Sequence, residues 1–146
     1  MSWQALENAN PELAAFGSER FSNRVAYLAT VRKDGSPRVH PVAPIIGQGR
    51  LYIFMEPTSP KRGDLLRDGR YAMHSLITDY AGSDGEFIIS GRARLVEDEA
   101  SRKLAAQSAS YTPADRFILF ELDVEDAMST LYSGGQVIRK HWKRGE

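Results

Sequence analysis

Residues 25–55 read VAYLATV-RKDGS-PRVHPVAPII-GQGR-LYIFM, and the order of these short blocks decides the fold. The runs 25–31 and 51–55 are rich in β-branched and aromatic residues, which favours strands. An Asp-Gly pair at 34–35 follows the first run and is the strongest short signal for a β-hairpin. Three prolines exclude a helix from residues 37–46 and favour an extended edge strand. The pattern predicts three antiparallel strands in succession.

The rest of the chain extends this meander. The sequence predicts helices over 59–68 and 98–109 and strands over 71–77, 86–96 and 117–124, with Gly91 as a kink in the longest strand. With 146 residues and no repeat or linker, the chain has the length of one average domain. We therefore predict a single domain over 1–146 with a mainly β fold, a six-stranded antiparallel Greek-key barrel. Residues 1–20 are expected to form a helical cap and residues 133–146 a C-terminal tail.

Composition excludes several functional classes. The formal net charge is zero, so there is no global positive field to hold a nucleic acid or an anionic membrane. There is no apolar run long enough to span a bilayer and no signal-like N-terminus, which predicts a cytoplasmic protein without membrane contact. The absence of cysteine excludes thiol redox pairs, so any redox chemistry needs a bound cofactor.

The segment TSPKRG at 58–63 is the clearest candidate for a binding site. It places Ser59, Lys61 and Arg62 at the start of a predicted helix, where free N–H groups and the helix dipole favour an anion such as phosphate. Alternatively, Ser59 only caps the helix and the two cations are solvated. Arg38 and His40 share one face of an extended strand and could extend this anion site, although a strand arginine is more often solvated.

The remaining motifs argue against other chemistries. His40, His74 and His141 match no metal-ligand spacing, so we predict no metal site. There is no nucleophile elbow, Walker loop or dinucleotide fingerprint. The basic stretch 139–144 contains one tryptophan and could contact single-stranded nucleic acid, but the zero net charge argues against that function. The strand at 25–31 is apolar on both faces, so either a helix or a second subunit should cover its outside.

Taken in order, these blocks resemble the pyridoxamine 5′-phosphate oxidase-like superfamily and its deazaflavin-dependent relatives. The blocks that carry the resemblance are AYLATV (26–31), DGSP (34–37), RVHPV (38–42), LYIF (51–54), SPK (59–61) and LLRD (65–68). The resemblance is good over about residues 20–96 and only general elsewhere.

The resemblance implies a split β-barrel homodimer with FMN in a groove between the subunits. Carried over by position, it implies a cofactor wall made of Arg38, Val39, His40, Pro41, Val42 and Ala43, continued by Phe54 and Met55. Ser59 and Lys61 would hold the phosphate, with Arg62 beside them. The implied function is oxidoreduction of a small molecule by hydride transfer through N5 of the flavin.

Three departures from the family pattern affect this interpretation. His40 stands where the oxidases carry an arginine, Pro60 stands where they often carry a second one, and their C-terminal Arg-Leu-His motif has no counterpart. We therefore expect a substrate other than pyridoxamine phosphate. F420 in place of FMN, or a flavin- or haem-binding module without turnover, are the alternatives. No catalytic acid or base is identified; Tyr52, Tyr111 and His40 are the conceivable proton donors.

Overall fold

Eight strands form one antiparallel sheet, and four helices pack around it. The computed structural model describes residues 2–145. The strands are β1 (Ala26–Val31), β2 (Pro37–Val42), β3 (Ile45–Gly47), β4 (Arg50–Met55), β5 (Arg70–Ser75), β6 (Glu86–Val96), β7 (Ile118–Ser133) and β8 (Gln136–Lys143). The helices are α1 (Gln4–Ala9), α2 (Pro11–Phe21), α3 (Pro60–Arg67) and α4 (Glu99–Ser108).

The sheet has the order β2-β1-β5-β6-β7-β4-β3, and β8 pairs with the C-terminal half of β7. This mainly β architecture is consistent with a barrel-like fold and agrees with the predicted class. The predicted count of six strands is wrong, because the extended run 37–46 divides into β2 and β3 and because residues expected in a C-terminal tail form β8.

Two local predictions are confirmed in detail. The Asp-Gly pair forms the β1–β2 turn, in which Gly35 has a φ of +87° and the Ser36 N–H donates to the Asp34 carboxylate at 2.9 Å. The predicted kink at Gly91 coincides with a β-bulge, because the register shifts between Ser90 and Gly91 and Glu125 is the extra residue on β7. A Cβ at Gly91 would lie 2.0 Å from the Asp123 carbonyl oxygen, so only glycine fits there.

The core lies on one face of the sheet and is closed by the N-terminal helices. Trp3, Phe21 and Phe87 form an aromatic cluster in it, with 5.2 Å between the ring centroids of the last two. The N–H groups of Trp3 and Gln4 donate to the Gly49 carbonyl, which anchors α1 to the β3–β4 turn. The predicted cap is therefore part of the core.

A second, smaller apolar cluster lies on the opposite face, where α4 covers β3, β4 and the start of β7. Asp98 caps α4 by accepting from the Ser101 N–H at 2.9 Å. Elsewhere this outer face is open: the exposed fractions of Tyr27 on β1 and Val39 on β2 are 41% and 64%. No helix among residues 2–145 has the length and apolar character needed to cross a bilayer.

Candidate functional site

The start of α3 is built differently from an ordinary capped helix. Ser59 occupies the N-cap position and Pro60 the first turn, as expected from their conformational preferences. The Ser59 hydroxyl makes no capping hydrogen bond, however, and instead accepts from Lys61 Nζ at 2.8 Å. The first turn of α3 therefore has no side-chain acceptor at its N–H groups.

Lys61 is the central residue of this site. Only 6% of its surface is exposed, and its Nζ lies 3.3 Å from His40 Nδ1 on β2. It forms no salt bridge with any residue between 2 and 145. Burial lowers the pKa of Lys61 below its usual 10.5, because the charged form loses hydration. A buried ammonium without a carboxylate beside it is costly, and a bound anion would compensate its charge.

Arg38 takes part in a different interaction from the one expected. Its Nε donates to Asp64 Oδ2 at 2.7 Å, and the Thr30 hydroxyl donates to the same oxygen at 2.7 Å. Burial raises the pKa of Asp64, but the hydrogen bonds from Arg38 and Thr30 outweigh it and hold the pKa below 3.8. Arg38 is thus neutralised within the chain and ties β2 to α3.

Of the residues predicted to bind the cofactor, the structure brings together His40, Ser59 and Lys61. Arg38 contacts the same helix through Asp64. The remaining predicted residues are placed elsewhere: Arg62 is exposed, Val39 and Pro41 lie on the open face, Val42 and Met55 lie in the core, Phe54 lies beneath α4, and Ala43 lines a separate cavity.

Thr30 and Asp64 belong to this site but stand in no local motif of the kind that marks Ser59 and Lys61. A signal for Asp64 was available, since Lys61, Asp64 and Leu65 have the i, i+3, i+4 spacing of one helix face and all three are buried. Of the conceivable proton donors, Tyr52 is fully buried beneath α4, whereas Tyr111 lines the same cavity as Ala43.

A comparison with protein families assigns the chain. The model of the pyridoxamine 5′-phosphate oxidase family matches residues 10–130. The chain belongs to this family. The Lys61 cluster and most of the sheet lie within the matched region, which extends well beyond the stretch that carried the sequence resemblance. No curated protein sequence matches the chain significantly.

Solved structures show the same fold at low sequence identity. A haem-binding protein from Mycobacterium smegmatis is 18% identical with a TM-score of 0.65, over 86% of this chain but only 57% of its own length. A Clostridium acetobutylicum protein related to general stress protein 26, of the pyridoxine phosphate oxidase family, is 12% identical with a TM-score of 0.63, over 97% and 96% of the two chains. An F420 reductase is 16% identical with a TM-score of 0.59, over 75% and 94%. Members of this fold thus differ in cofactor.

Proposed function

We propose that this family member is an FMN-dependent oxidoreductase acting on a small molecule other than pyridoxamine phosphate. The observation that carries the proposal is the buried Lys61 ammonium, which has a hydroxyl and an imidazole beside it but no carboxylate. A phosphate would supply the missing negative charge at the N-terminus of α3, where uncapped N–H groups also favour an anion.

Each residue of the cluster has a defined role in this proposal. Lys61 donates charge-assisted hydrogen bonds to the phosphate, and Ser59 holds the ammonium in place by accepting from it. The Arg38–Asp64 pair fixes β2 against α3, so that His40 stays next to Lys61. Bound FMN would supply hydride or electron transfer, and the chain supplies orientation and polarity.

The proposal includes a homodimer. Tyr27 and Val39 leave apolar surface exposed on the open sheet face, next to alanines of β1 and β5 that are only half-buried. A continuous apolar sheet face of this kind is typical of a subunit interface. A second copy packed there would form the groove for the flavin ring. Light scattering should give about twice the 16.3 kDa of one chain, and a mass of one chain would contradict this part.

The phosphate site is tested by titrating the apo protein with FMN and with riboflavin, which lacks the phosphate. Lys61→Met keeps an apolar stem of similar length but removes the charge. We expect it to weaken FMN binding about 10- to 100-fold, the effect of one lost charge-assisted hydrogen bond, and to leave riboflavin binding unchanged. Lys103→Met, at an exposed lysine of α4, is the matched control and should change neither affinity.

The outcomes separate the alternatives. Equal loss of FMN and riboflavin binding would mean that Lys61 contacts the ring or supports the fold. Tighter binding of F420 than of FMN would favour an F420 reductase, and binding of haem alone would favour a haem-binding module. Reduction of bound FMN by NADH or NADPH separates an oxidoreductase from a protein that only stores the flavin.

A further inference from the structure

A second cavity lies at the far end of β2, away from the Lys61 cluster. Its volume is about 420 Å³, within the range of about 300 to 1,000 Å³ of small-molecule sites. Three separate segments line it: residues 22–25 after α2, residues 43–46 from the end of β2 into β3, and residues 108–111 at the end of α4. None of these three segments contributes a residue to the Lys61 cluster.

Arg24 gives the cavity its charge. Arg24 is the only charged residue among those that line the cavity. Its side chain is 39% exposed, and Nη1 forms a loose ion pair with Asp84 Oδ2 at 3.8 Å, which is too long for a hydrogen bond. The guanidinium makes no hydrogen bond to any residue between 2 and 145. Its donor groups are therefore available to hydrogen-bond a ligand carboxylate, which would replace the weak, exposed ion pair with Asp84.

Tyr111 and Asn23 add neutral hydrogen-bonding groups, and neither side chain is hydrogen-bonded within the described residues. Burial raises the pKa of Tyr111 above 10.0, so its phenol keeps the proton and can donate it in a hydrogen bond. Val25, Pro44 and Ile46 give the cavity an apolar wall. The lining thus combines one cation, a phenol and the hydroxyls of Ser22, Ser108 and Ser110 with a smaller apolar wall, which suits a small polar molecule.

We infer that this cavity binds a small organic acid, with the carboxylate paired to Arg24 and hydrogen-bonded by Tyr111. A carboxylate fits better than a phosphate, because one guanidinium matches the single charge and the two oxygens of a carboxylate in a bidentate pair. Ala43, which also lines the cavity, lies three residues along an extended strand from His40, about 10 Å away. If the protein is the oxidoreductase proposed above, this organic acid is its class of substrate.

Benzoate and its uncharged isostere benzamide are suitable probes, measured by calorimetry on the apo protein. We expect saturable benzoate binding that is at least about tenfold tighter than benzamide binding. Arg24→Met should lower benzoate affinity about tenfold or more and remove the preference over benzamide. Tyr111→Phe should lower benzoate affinity several-fold. Arg139→Met, at an exposed arginine of β8, makes the same charge change outside the cavity and should have no effect.

The FMN-loaded protein tests the link to the flavin separately. Benzoate should shift the flavin absorption bands of the wild type but not those of Arg24→Met. Benzoate binding without a band shift would overturn the assignment as substrate site. Benzoate binding that is absent, or equal in wild type and Arg24→Met, would overturn the carboxylate site itself, whether or not FMN binds. Benzoate binding by a protein that takes up no FMN would support the carboxylate site and contradict the proposed function instead.

Discussion

Lys61 and Glu121 are both charged and buried, but their surroundings are opposite. Glu121 on β7 has no exposed surface, and its Oε1 accepts from Arg50 Nη1 at 3.1 Å and from Arg94 Nη2 at 2.7 Å. Within residues 2–145, the partners of Lys61 are a hydroxyl and an imidazole, with no carboxylate. The carboxylate is therefore compensated by the chain itself, whereas the ammonium is not.

This difference separates a structural charge from a binding charge. The arginines next to Glu121 come from the neighbouring strands β4 and β6, so the sheet assembles that cluster as it folds. No carboxylate among residues 2–145 forms an ion pair with Lys61. A buried charge without a counter-charge is costly, and such charges are typical of binding sites. The Lys61 cluster, and not the Glu121 cluster, is therefore the candidate cofactor site.

The largest expected effect is the loss of the compensated carboxylate. Glu121→Ala leaves two arginines without their partner and should reduce the free energy of unfolding by about 3 kcal/mol. This is the lower end of the usual range, because the side chains of Arg50 and Arg94 are 29% and 51% exposed and water can replace part of the interaction. Urea denaturation measures the loss.

Glu121→Gln is the control for this prediction. It keeps the size of the side chain and an oxygen that accepts from one arginine, so its loss should be smaller than that of Glu121→Ala. If Glu121→Ala changed the free energy of unfolding by less than about 1 kcal/mol, the cluster would not be the structural element described here.

The next effect, smaller and of opposite sign, concerns Tyr52, which lies opposite Glu121 in the sheet. Its hydroxyl and Glu121 Oε2 are buried and make no hydrogen bond of good geometry among residues 2–145, with Arg50 and Ser101 beside the hydroxyl. Burial and the nearby Glu121 raise the pKa of Tyr52, so the phenol stays protonated. Because an unpaired buried hydroxyl is destabilising, Tyr52→Phe should increase the free energy of unfolding by about 1 kcal/mol. A decrease of that size would show that the hydroxyl is hydrogen-bonded in solution.

The fold was predictable where burial leaves a periodic signal. Alternating apolar residues marked the first half of β7, and the Asp-Gly pair marked the β1–β2 hairpin. The second half of β7 buries small and polar residues such as Ala127 and Ser129, so its pattern does not show a strand. In β8 every residue except Trp142 is exposed, so the strand has no alternating apolar pattern. Its pairing with β7 rests on backbone hydrogen bonds, which do not depend on residue type.

The candidate site was predictable only in its local part. Ser59 and Lys61 are two residues apart, so the start of a helix was enough to suggest an anion site. The contacts of Lys61 with His40 and of Arg38 with Asp64 join residues 21 and 26 positions apart, and they depend on how α3 packs against β1 and β2. The Arg24 cavity combines segments from three parts of the chain, which only the tertiary structure brings together.

The smallest expected effect tests the uncompensated charge itself, through the pH dependence of the apo protein. Lys61→Met loses the contacts with Ser59 and His40 but no longer buries a charge, so at neutral pH its free energy of unfolding should differ from that of the wild type by less than about 1 kcal/mol. The informative quantity is how this difference changes with pH, because all other titrating groups are shared by the two proteins.

In the wild type, the pKa of Lys61 is lower in the folded state than its value of 10.5 in the unfolded chain. Between these two values the unfolded state binds more protons, so the stability of the wild type rises with pH relative to Lys61→Met. Below the folded-state pKa and above 10.5, the difference in free energy of unfolding between the two proteins does not change with pH. Urea denaturation of both proteins from pH 7 to pH 10.5 measures it. A relative stability that fell with pH would mean that Lys61 has an anionic partner within the apo protein, and the contrast with Glu121 would disappear.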